Sequence, residues 1–467
     1  MSAPVLHSRR PGKTPDPMTD DRAPAGAAVA PPGLDERLRA AMREHAAGRF
    51  AAARVAYLAV LGDEPEAADA WHLLGVLEAQ SGRHEEAARL IGRAIELCPH
   101  EAMFHNNLGN VCIERARLSE AEGHYARAIA IDPQRVDALN NLGVLLSRVG
   151  RAEDAERALC RAIELAPDFT DARQNLANHF LRGGRLADAV QVLTDALIVE
   201  PRDGGLRYLL GMAYVLLGRG DEAAAVYRGW LETDPDEPRA RFHLAACTGA
   251  AVPERAPDAY LRRVFDGFSN SFDAKLAQLD YRAPALVEAA LARIAGPPAR
   301  ASRVLDAGCG TGLCGALLAP HASHLSGVDL SAGMLAKARE RAVYDELHEG
   351  ELVAWLVQAA ARGQRFDAIC SADTLCYFGP LEAFADAARR ALVPGGSLVF
   401  TVEAHDDAPG SADHSLQPCG RYSHRRGYLD AVLRDAGFGP PLLTEVVLRR
   451  EADRPVRGWL ASARANG

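Results

Sequence analysis

The sequence holds almost no lysine. Of its 53 lysine and arginine residues only Lys13, Lys275 and Lys337 are lysine, so arginine carries nearly all of the positive charge. Acidic residues number 62 and the formal net charge is -9. This balance argues against the basic face with which proteins bind nucleic-acid phosphates, so we expect no nucleic-acid partner.

Long apolar runs and paired cysteines are also missing. No stretch of about 18 residues is apolar and free of charge, and the N-terminus has no short apolar core suited to export. The nine cysteines are scattered without a CxxC pair, which argues against a disulfide framework and a zinc site. We therefore expect a soluble, cytoplasmic protein without a metal or a membrane partner.

A 34-residue period organises the first half of the chain. Residues 1–33 precede it and are rich in proline, alanine and charge, which predicts a disordered tail. Leucine followed by a small residue then recurs at Leu74-Gly75, Leu108-Gly109, Leu142-Gly143, Leu176-Ala177 and Leu210-Gly211. Closing prolines recur at Pro99, Pro133, Pro167, Pro201 and Pro235. Each period predicts two helices that cross at the small residue and end before the proline.

These residues resemble the tetratricopeptide repeat, with WHLLG at Trp71 to Gly75 as the best match. The resemblance implies six repeats and a capping helix over residues 34–249, stacked as a helical solenoid with a concave binding surface. Residues 250–257 then form a predicted linker, and residues 258–467 a second domain.

Asparagines occupy one repeat position three times in succession, at Asn107, Asn141 and Asn175. An amide can donate and accept together, so such a ladder can hold the main chain of an extended peptide. It resembles the asparagine ladder of the O-linked N-acetylglucosamine transferases, which implies a protein or peptide partner in the groove. The alternative is that these residues are merely polar. The array lacks lysine, which argues against a clamp for peptide carboxylates.

Glycines cluster after a short apolar stretch at Val304 to Gly315, VLDAGCGTGLCG. Strand and helix patterns alternate from there on, which predicts an α/β domain with a parallel, doubly wound sheet. The glycines fit both GxGxxG, the dinucleotide pattern, and GxGxG. Asp306 favours the second interpretation, because a carboxylate just before the loop would repel a pyrophosphate and attract a cationic cofactor.

VLDAGCGTG therefore resembles the first motif of class I S-adenosylmethionine-dependent methyltransferases. The resemblance implies a Rossmann-like, seven-stranded, mostly parallel sheet closed by a hairpin from LLTEVVLRR and RPVRGWLASA. It also implies S-adenosylmethionine as the cofactor, with Asp329 on the ribose, Met334 against the adenine and Glu351 near the adenine amino group. The full set of implied cofactor-binding residues is Asp306, Gly308, Cys309, Gly310, Gly312, Asp329, Leu330, Met334, Glu351 and Leu352. Cys309 and Cys314 are interpreted as small packing residues rather than redox groups.

Residues beyond the cofactor motifs supply candidates for the methyl acceptor site. His405 is the first candidate for a base, and Asp373 and Tyr377 follow the fourth predicted strand, where open sheets bind ligands. Phe265, Phe268 and Phe272 recur at helical spacing, which suits either a lid or core packing. Further candidates for the substrate site or lid are Tyr281, Arg282, Tyr422 and His424.

The second domain as a whole resembles predicted bacterial methyltransferases that carry tetratricopeptide repeats, a family without a known substrate. The leading hypothesis is a methyltransferase whose array recruits a protein partner or substrate. The alternatives are a small-molecule methyltransferase that uses its repeats for assembly, a scaffold with an inactive nucleotide fold, and an NAD oxidoreductase.

Overall fold

The structure is a computed structural model that describes residues 33–405, 411–451 and 454–467. The predicted disordered tail lies outside these residues except for Gly33. The described chain divides into two compact units, one up to Gly183 and one from Gly184 to Gly467. The boundary falls inside the predicted repeat array, so the last repeats belong to the same unit as the second domain.

Thirteen helices form the repeat region within the described residues, which confirms the predicted helical repeats. In the unit up to Gly183 these are α1 Leu34–Ala46, α2 Phe50–Asp63, α3 Ala68–Gln80, α4 His84–Leu97, α5 Ala102–Glu114, α6 Leu118–Ile131, α7 Val136–Arg148, α8 Ala152–Leu165 and α9 Thr170–Arg182. The second unit begins with α10 Leu186–Val199, α11 Gly204–Leu216, α12 Gly220–Thr233 and α13 Pro238–Thr248.

The recurring glycine allows the two helices of a repeat to cross closely. A Cβ atom added at Gly109 on α5 would lie 2.5 Å from Cε1 of Tyr125 on α6. One added at Gly211 on α11 would lie 2.3 Å from Cζ of Tyr227 on α12. Both tyrosines are buried, so they have little room to move aside. The small residue of each repeat is therefore a packing requirement.

The remaining part of the second unit alternates helices and strands, which confirms the predicted α/β domain. Its helices are α14 Asp258–Phe268, α15 Phe272–Ala277, α16 Ala283–Ala295, α17 Leu313–Leu318, α18 Ala332–Glu340, α19 Leu352–Ala361, α20 Glu382–Ala391 and α21 Arg426–Asp435. Its strands are β1 Ser302–Ala307, β2 Ala322–Asp329, β3 Glu346–Glu349, β4 Phe366–Ser371, β5 Leu392–Ala404, β6 His414–Leu416, β7 Tyr422–His424, β8 Leu442–Glu451 and β9 Arg454–Arg464.

The sheet runs in the order β3-β2-β1-β4-β5, with these five strands parallel. β9 pairs antiparallel with β5 and with β8, which gives the predicted closing hairpin and the predicted seven strands. The described sheet has nine strands, because β7 also pairs with the last two residues of β5 and β6 pairs with β7. These two strands have three residues each, too few to leave a clear alternation in the sequence.

The predicted linker, residues 250–257, is hydrogen-bonded to the α/β domain. The Ala256 amide donates to the Tyr377 carbonyl at 2.8 Å, and the Gly379 amide donates to the Glu254 carbonyl at 2.8 Å. The Tyr422 hydroxyl donates to the Pro253 carbonyl. This segment thus lies along an edge of the domain, and its assignment as a linker stays a prediction.

Candidate functional site

The glycine loop follows β1 at the carboxyl edge of the parallel strands, where Gly308, Gly310 and Gly312 all have positive φ. A Cβ at Gly308 would lie 2.2 Å from the Thr374 hydroxyl oxygen, so that position has no room for a side chain. A Cβ at Gly310 would meet no atom within 4 Å. The middle of the loop therefore presents bare backbone to open space, as the approach of a cofactor requires.

Two carboxylates lie beside this loop, one at the end of each of the first two strands. Asp306 is fully buried and accepts a hydrogen bond from the Tyr344 hydroxyl at 2.7 Å. Burial raises the pKa of Asp306 to about 7, against hydrogen bonds from Tyr344 and the Gly315 amide. Asp329 accepts the Gly310 amide at 2.8 Å and the Ser331 amide at 2.9 Å. Burial raises the pKa of Asp329 as well, and these two amides oppose the shift.

The other residues implied by the family resemblance follow β2 and β3. Leu330 is half-buried, and Met334 is almost fully buried on α18. Leu352 is buried at the start of α19. Glu351 caps that helix, accepting the amides of Val353 at 3.1 Å and Ala354 at 2.8 Å. Helix capping accounts for Glu351 without a cofactor, and its contact with adenine stays a prediction, as does that of Met334.

A segment that precedes the sheet in sequence is hydrogen-bonded to the cofactor motifs. Asp266 at the end of α14 accepts the Ser331 hydroxyl at 2.5 Å and the Gly333 amide at 3.2 Å. Asp273 on α15 accepts the Thr311 hydroxyl at 2.5 Å and also binds the Arg341 guanidinium. The phenylalanines of this segment were predicted from the sequence, whereas these two aspartates were not. We call residues 258–277 the lid segment.

The aromatic residues of the lid segment have different surroundings. Phe265 packs edge-on against Tyr377, with ring centroids 5.5 Å apart, and against Phe272 at 6.2 Å. The ring of Phe268 lies under the Lys275 ammonium, 3.6 Å from the ring centroid. Phe265 thus joins the lid segment to the residues that follow β4, whereas Phe268 does not contribute to that contact.

An ion-pair cluster lies beyond the carboxyl ends of β4 and β5. Arg449 on β8 binds Asp373 at 2.6 Å and Glu451 at 2.7 Å, and it also binds Glu403. Arg421 binds Glu403 at 2.5 Å and Glu451 at 2.8 Å. Three carboxylates therefore face two guanidiniums. Asp373 was predicted from the sequence, but Arg449 was missed because two of its partners, Asp373 and Glu403, come from distant parts of the chain.

Asp373 is held next to the glycine loop in an uncommon backbone conformation, with φ of 59°. Its amide donates to the Thr401 hydroxyl at 2.9 Å, and the next residue, Thr374, donates to the Gly308 carbonyl at 3.1 Å. A positive φ at a residue other than glycine costs free energy and is found preferentially at functional sites. This position supports Asp373 as part of the site.

Tyr281 and Arg282 lie at the start of α16. Tyr281 is half-buried, and burial together with the charge of Asp373 raises the pKa of its hydroxyl well above the ordinary value. The Arg282 amide donates to the Leu448 carbonyl at 2.8 Å, while its side chain is exposed and caps no helix amide. The charge of Asp373 thus acts on the Tyr281 hydroxyl, and the roles of Tyr281 and Arg282 at a substrate stay predictions.

Tyr422 and His424 on β7 are held by contacts within the domain, and their role as substrate contacts stays a prediction. Both are fully buried, and the Tyr422 hydroxyl is bonded to the backbone of Pro253. His424 Nε2 bonds to the Gly379 carbonyl at 2.8 Å, and burial lowers its pKa to about 4. His405 lies 3.3 Å from the Ser423 hydroxyl through Nδ1. Its role as a base stays a prediction.

The cysteines of the glycine loop are buried. Burial raises the pKa of the Cys309 and Cys314 thiols well above the ordinary value. A thiol with a raised pKa forms little of the reactive thiolate, so the geometry agrees with their interpretation as packing residues.

The asparagine ladder lies in the unit up to Gly183 and is engaged within the array. Its members donate to the preceding repeat, Asn107 to His72 Nε2 at 2.8 Å, Asn141 to Asn106 Oδ1 at 3.0 Å and Asn175 to Asn140 Oδ1 at 2.9 Å. Burial lowers the pKa of His72 to about 4, so this ring is neutral and can accept. The ladder therefore ties successive repeats together with at least one amide hydrogen of each member, and its contact with a peptide main chain stays a prediction.

A pocket of about 210 Å³ opens in the same unit, between α3, α4 and α5. Val76, Ile91 and Val111 supply apolar walls, and Asn107 lies at its polar side. A pocket of this size and lining suits a single apolar side chain.

Membrane-spanning helices and metal clusters are both absent from the part of the chain that the structure describes. None of the helices there is both long enough and apolar enough to cross a membrane. Residues 33–405, 411–451 and 454–467 contain no group of three or more histidine, cysteine, aspartate or glutamate residues placed to hold a metal ion.

Comparisons with known proteins divide the chain in the same way as its patterns do. Residues 12–252 match the family model for the C-terminal domain of cilia and flagella-associated protein 70, a tetratricopeptide-repeat family. Residues 305–398 match the model of a methyltransferase domain. The second match covers the glycine loop, Asp329 and β4.

Curated relatives match the methyltransferase domain. The chain is 34% identical over 122 residues to malonyl-[acyl-carrier protein] O-methyltransferase of Enterobacter lignolyticus, covering 26% of this chain and 46% of that protein. It is 34% identical to trans-aconitate 2-methyltransferase of Paracidovorax citrulli, covering 26% and 45%. It is 35% identical to human methyltransferase-like protein 27, covering 24% and 43%. The chain spans less than half of the length of each of these three.

Solved structures match the helical repeats. PilW, a type IV pilus biogenesis factor, is 21% identical and has a TM-score of 0.41, with 44% of this chain and 96% of PilW covered. YrrB, a tetratricopeptide-repeat protein with an unusual peptide-binding site, is 21% identical and has a TM-score of 0.33, with 40% and 95% covered. These scores are too low to carry a functional argument.

Proposed function

Because the chain belongs to the family of the cilia and flagella-associated protein 70 C-terminal domain and carries a methyltransferase domain besides, we propose that it is an S-adenosylmethionine-dependent methyltransferase whose repeats recruit a protein partner or substrate. The observation that carries the proposal is the bare Gly310 backbone between Asp306 and Asp329. Two carboxylates beside the loop suit a cofactor that carries positive charge, and they disfavour a pyrophosphate.

The residues of the glycine loop fit this cofactor. Gly308, Gly310 and Gly312 would hold it from below, Asp329 would accept its ribose hydroxyls, and the lid segment would cover it. S-adenosylmethionine supplies a methyl group on a positively charged sulfur, ready for direct displacement. The protein's part is then to align the acceptor and exclude water, and well-oriented groups reach effective molarities of roughly 10⁵ to 10⁸ M.

The acceptor site would lie at the ion-pair cluster, next to Thr374 and Gly308. Asp373 and Tyr377 are the leading candidates to orient the acceptor, and Phe265 of the lid segment contacts Tyr377. His405 remains the candidate base for an acceptor that must lose a proton.

The array would bind the partner in the unit up to Gly183. The pocket beside Val76 supports this through its apolar walls, whereas each ladder asparagine already uses at least one amide hydrogen between repeats. A small-molecule acceptor is the second candidate, favoured by relatives whose names include trans-aconitate 2-methyltransferase.

Transfer of labelled methyl from S-adenosylmethionine into cell extract tests the proposal. The full chain should label a protein, and Val76→Arg should reduce that labelling by filling the pocket with a charge. Val55→Arg is the matched control, since Val55 is 68% exposed on α2 outside the pocket. Label that enters small molecules equally with all three chains would favour the second candidate. No transfer in any chain would contradict the proposal.

A further inference from the structure

The last helix of the array, α13, turns two aromatic side chains towards the lid segment. Phe242 lies 4.8 Å from Tyr260 on α14 between ring centroids, and His243 lies 5.5 Å from Tyr260, nearly perpendicular to it. The three residues are 2%, 0% and 5% exposed respectively. Burial lowers the pKa of His243 to about 4, so its ring is neutral and packs as an aromatic. We call these three residues the aromatic seam.

The turn between β6 and β7 also packs against the aromatic seam. Gly420 in this turn has φ of 85°, and a Cβ there would lie 2.9 Å from Cε1 of His243 and 3.3 Å from the Tyr260 hydroxyl. The residue after it is Arg421, which binds Glu403 and Glu451 in the ion-pair cluster. The seam therefore fixes the turn that supplies one of the two arginines of the cluster.

α14 connects the seam to the cofactor motifs. Tyr260 lies near its beginning, and Phe265 and Asp266 lie one to two turns later. Asp266 binds Ser331 and Gly333, and Phe265 contacts Tyr377. Six residues of an α-helix span about 9 Å. Because Tyr260 and Asp266 lie on the same helix, a shift of Tyr260 also moves Asp266 and its contacts with Ser331 and Gly333.

A buried carboxylate fixes the direction of α13. Glu237 caps its first turn, accepting the Arg239 amide at 3.1 Å, and it also binds Arg263 of α14 at 3.0 Å. Glu237 is 5% exposed. This pair joins α13 and α14 beside the seam, so the two helices are held by both apolar and charged contacts.

We propose that α13 is a positioning element of the catalytic site, with Phe242 and His243 holding the lid segment and the Arg421 turn in place. The proposed cofactor site and the proposed acceptor site then both require the last helix of the array for their correct geometry. The identity of the cofactor in this inference rests on the proposed function.

The test compares Phe242→Leu with Phe104→Leu in the full chain. Phe104 is an equally buried aromatic of the array, 4.5 Å from His72 and remote in sequence from the lid segment. Hydrogen exchange of the α14 amides is measured without cofactor, and dissociation constants for S-adenosylmethionine are measured by calorimetry. Phe242→Leu should speed exchange in α14 and weaken binding by at least about fivefold, the lower end of usual coupling between sites. Phe104→Leu should change neither, although both variants lose thermal stability.

A conservative variant separates positioning from general stability. Phe242→Tyr keeps an aromatic ring and should restore most of the binding lost in Phe242→Leu. Unchanged α14 exchange and unchanged affinity in Phe242→Leu would overturn the inference. Absence of S-adenosylmethionine binding in the wild-type chain would instead contradict the proposed function, and exchange in α14 would still decide the inference.

Discussion

The same position of the 34-residue repeat has opposite chemistry in the two units. In the unit up to Gly183 it is His72, Asn106, Asn140 and Gln174, and the first three accept hydrogen bonds from the ladder asparagines of the following repeat. In the second unit it is Tyr208 and Phe242. Phe242 packs on Tyr260 of the α/β domain.

The difference shows that one helical scaffold serves two purposes. A polar ladder satisfies buried groups between neighbouring repeats and fixes their register, because a slipped repeat would leave those groups without partners. An aromatic seam instead buries a large apolar area against a different partner. The repeat pattern determines how the helices pair. The residue at this repeat position determines whether the helix contacts the next repeat or the α/β domain.

The largest effect on cofactor affinity is expected from Asp329 in the second unit. Asp329→Ala removes the acceptor of two backbone amides and of the proposed ribose hydroxyls. Charge-assisted hydrogen bonds contribute about 1.5 to 3 kcal/mol each, so S-adenosylmethionine should bind at least about 100-fold more weakly. Asp367→Ala is the control, since Asp367 also accepts a backbone amide, that of Arg303 at 2.7 Å. Asp367 lies at the start of β4, at the sheet edge away from the glycine loop. Wild-type affinity in Asp329→Ala would show that the ribose assignment is wrong.

The glycines at which paired helices cross allow the same substitution to be compared in the two units. Gly109→Ala and Gly211→Ala introduce the same overlap with a buried tyrosine in the two units, and overpacking of this kind costs about 1 to 3 kcal/mol. Both should lower the melting temperature of the full chain. Only Gly211→Ala should also weaken S-adenosylmethionine binding, because Tyr227 stacks on His243 of the seam at 5.4 Å. An equal loss of S-adenosylmethionine affinity in both variants would show that the second unit has no special link to the cofactor site.

The pH dependence of cofactor binding should depend on Asp306. Its pKa is about 7 in the folded chain against an ordinary 3.8, so the protonated form is favoured by folding. The stability this gives is complete below about pH 4 and is lost as the pH rises through 7. A cationic cofactor prefers the ionised carboxylate, so affinity should rise by up to about tenfold from pH 6 to pH 8. Asp306→Asn should flatten this profile in calorimetric titrations, and an unchanged profile would exclude Asp306 as its cause.

The smallest effect is expected from the ladder. Asn141→Ala removes donors to Asn106 and to Asn110, which lie 3.0 and 3.1 Å away. The loss should be about 1 to 3 kcal/mol of unfolding free energy, because the buried Asn106 Oδ1 is left unpaired, while Asn110 Oδ1 keeps the Tyr125 hydroxyl. Denaturant titration measures this loss, and cofactor affinity should stay at the wild-type value. A weaker affinity would link the ladder to the catalytic site.

Much of the architecture could be predicted from the sequence because its signals are periodic. The 34-residue spacing predicted the helix pairs, and the buried stretch VLDA before the glycines predicted β1. The short strands β6 and β7 escaped prediction, since three residues carry too little pattern.

The residues of the candidate site that belong to one local motif could be predicted from the sequence. The residues that come from distant segments of the chain could not. Gly308, Gly310 and Asp329 come together as expected, whereas the roles of Asp266 and Asp273 depend on how the lid segment folds back onto the sheet. No local motif predicted that the last four helices of the array share a compact unit with the α/β domain. The change to aromatic residues at Tyr208 and Phe242 was the available signal.

Calorimetric titration of the full chain with S-adenosylmethionine and with NAD decides which cofactor the glycine loop binds. We expect saturable binding of S-adenosylmethionine at one site per chain, lost in Asp329→Ala and kept in Asp367→Ala, with no binding of NAD. Binding of NAD in place of S-adenosylmethionine, or binding of neither, would contradict the proposed function.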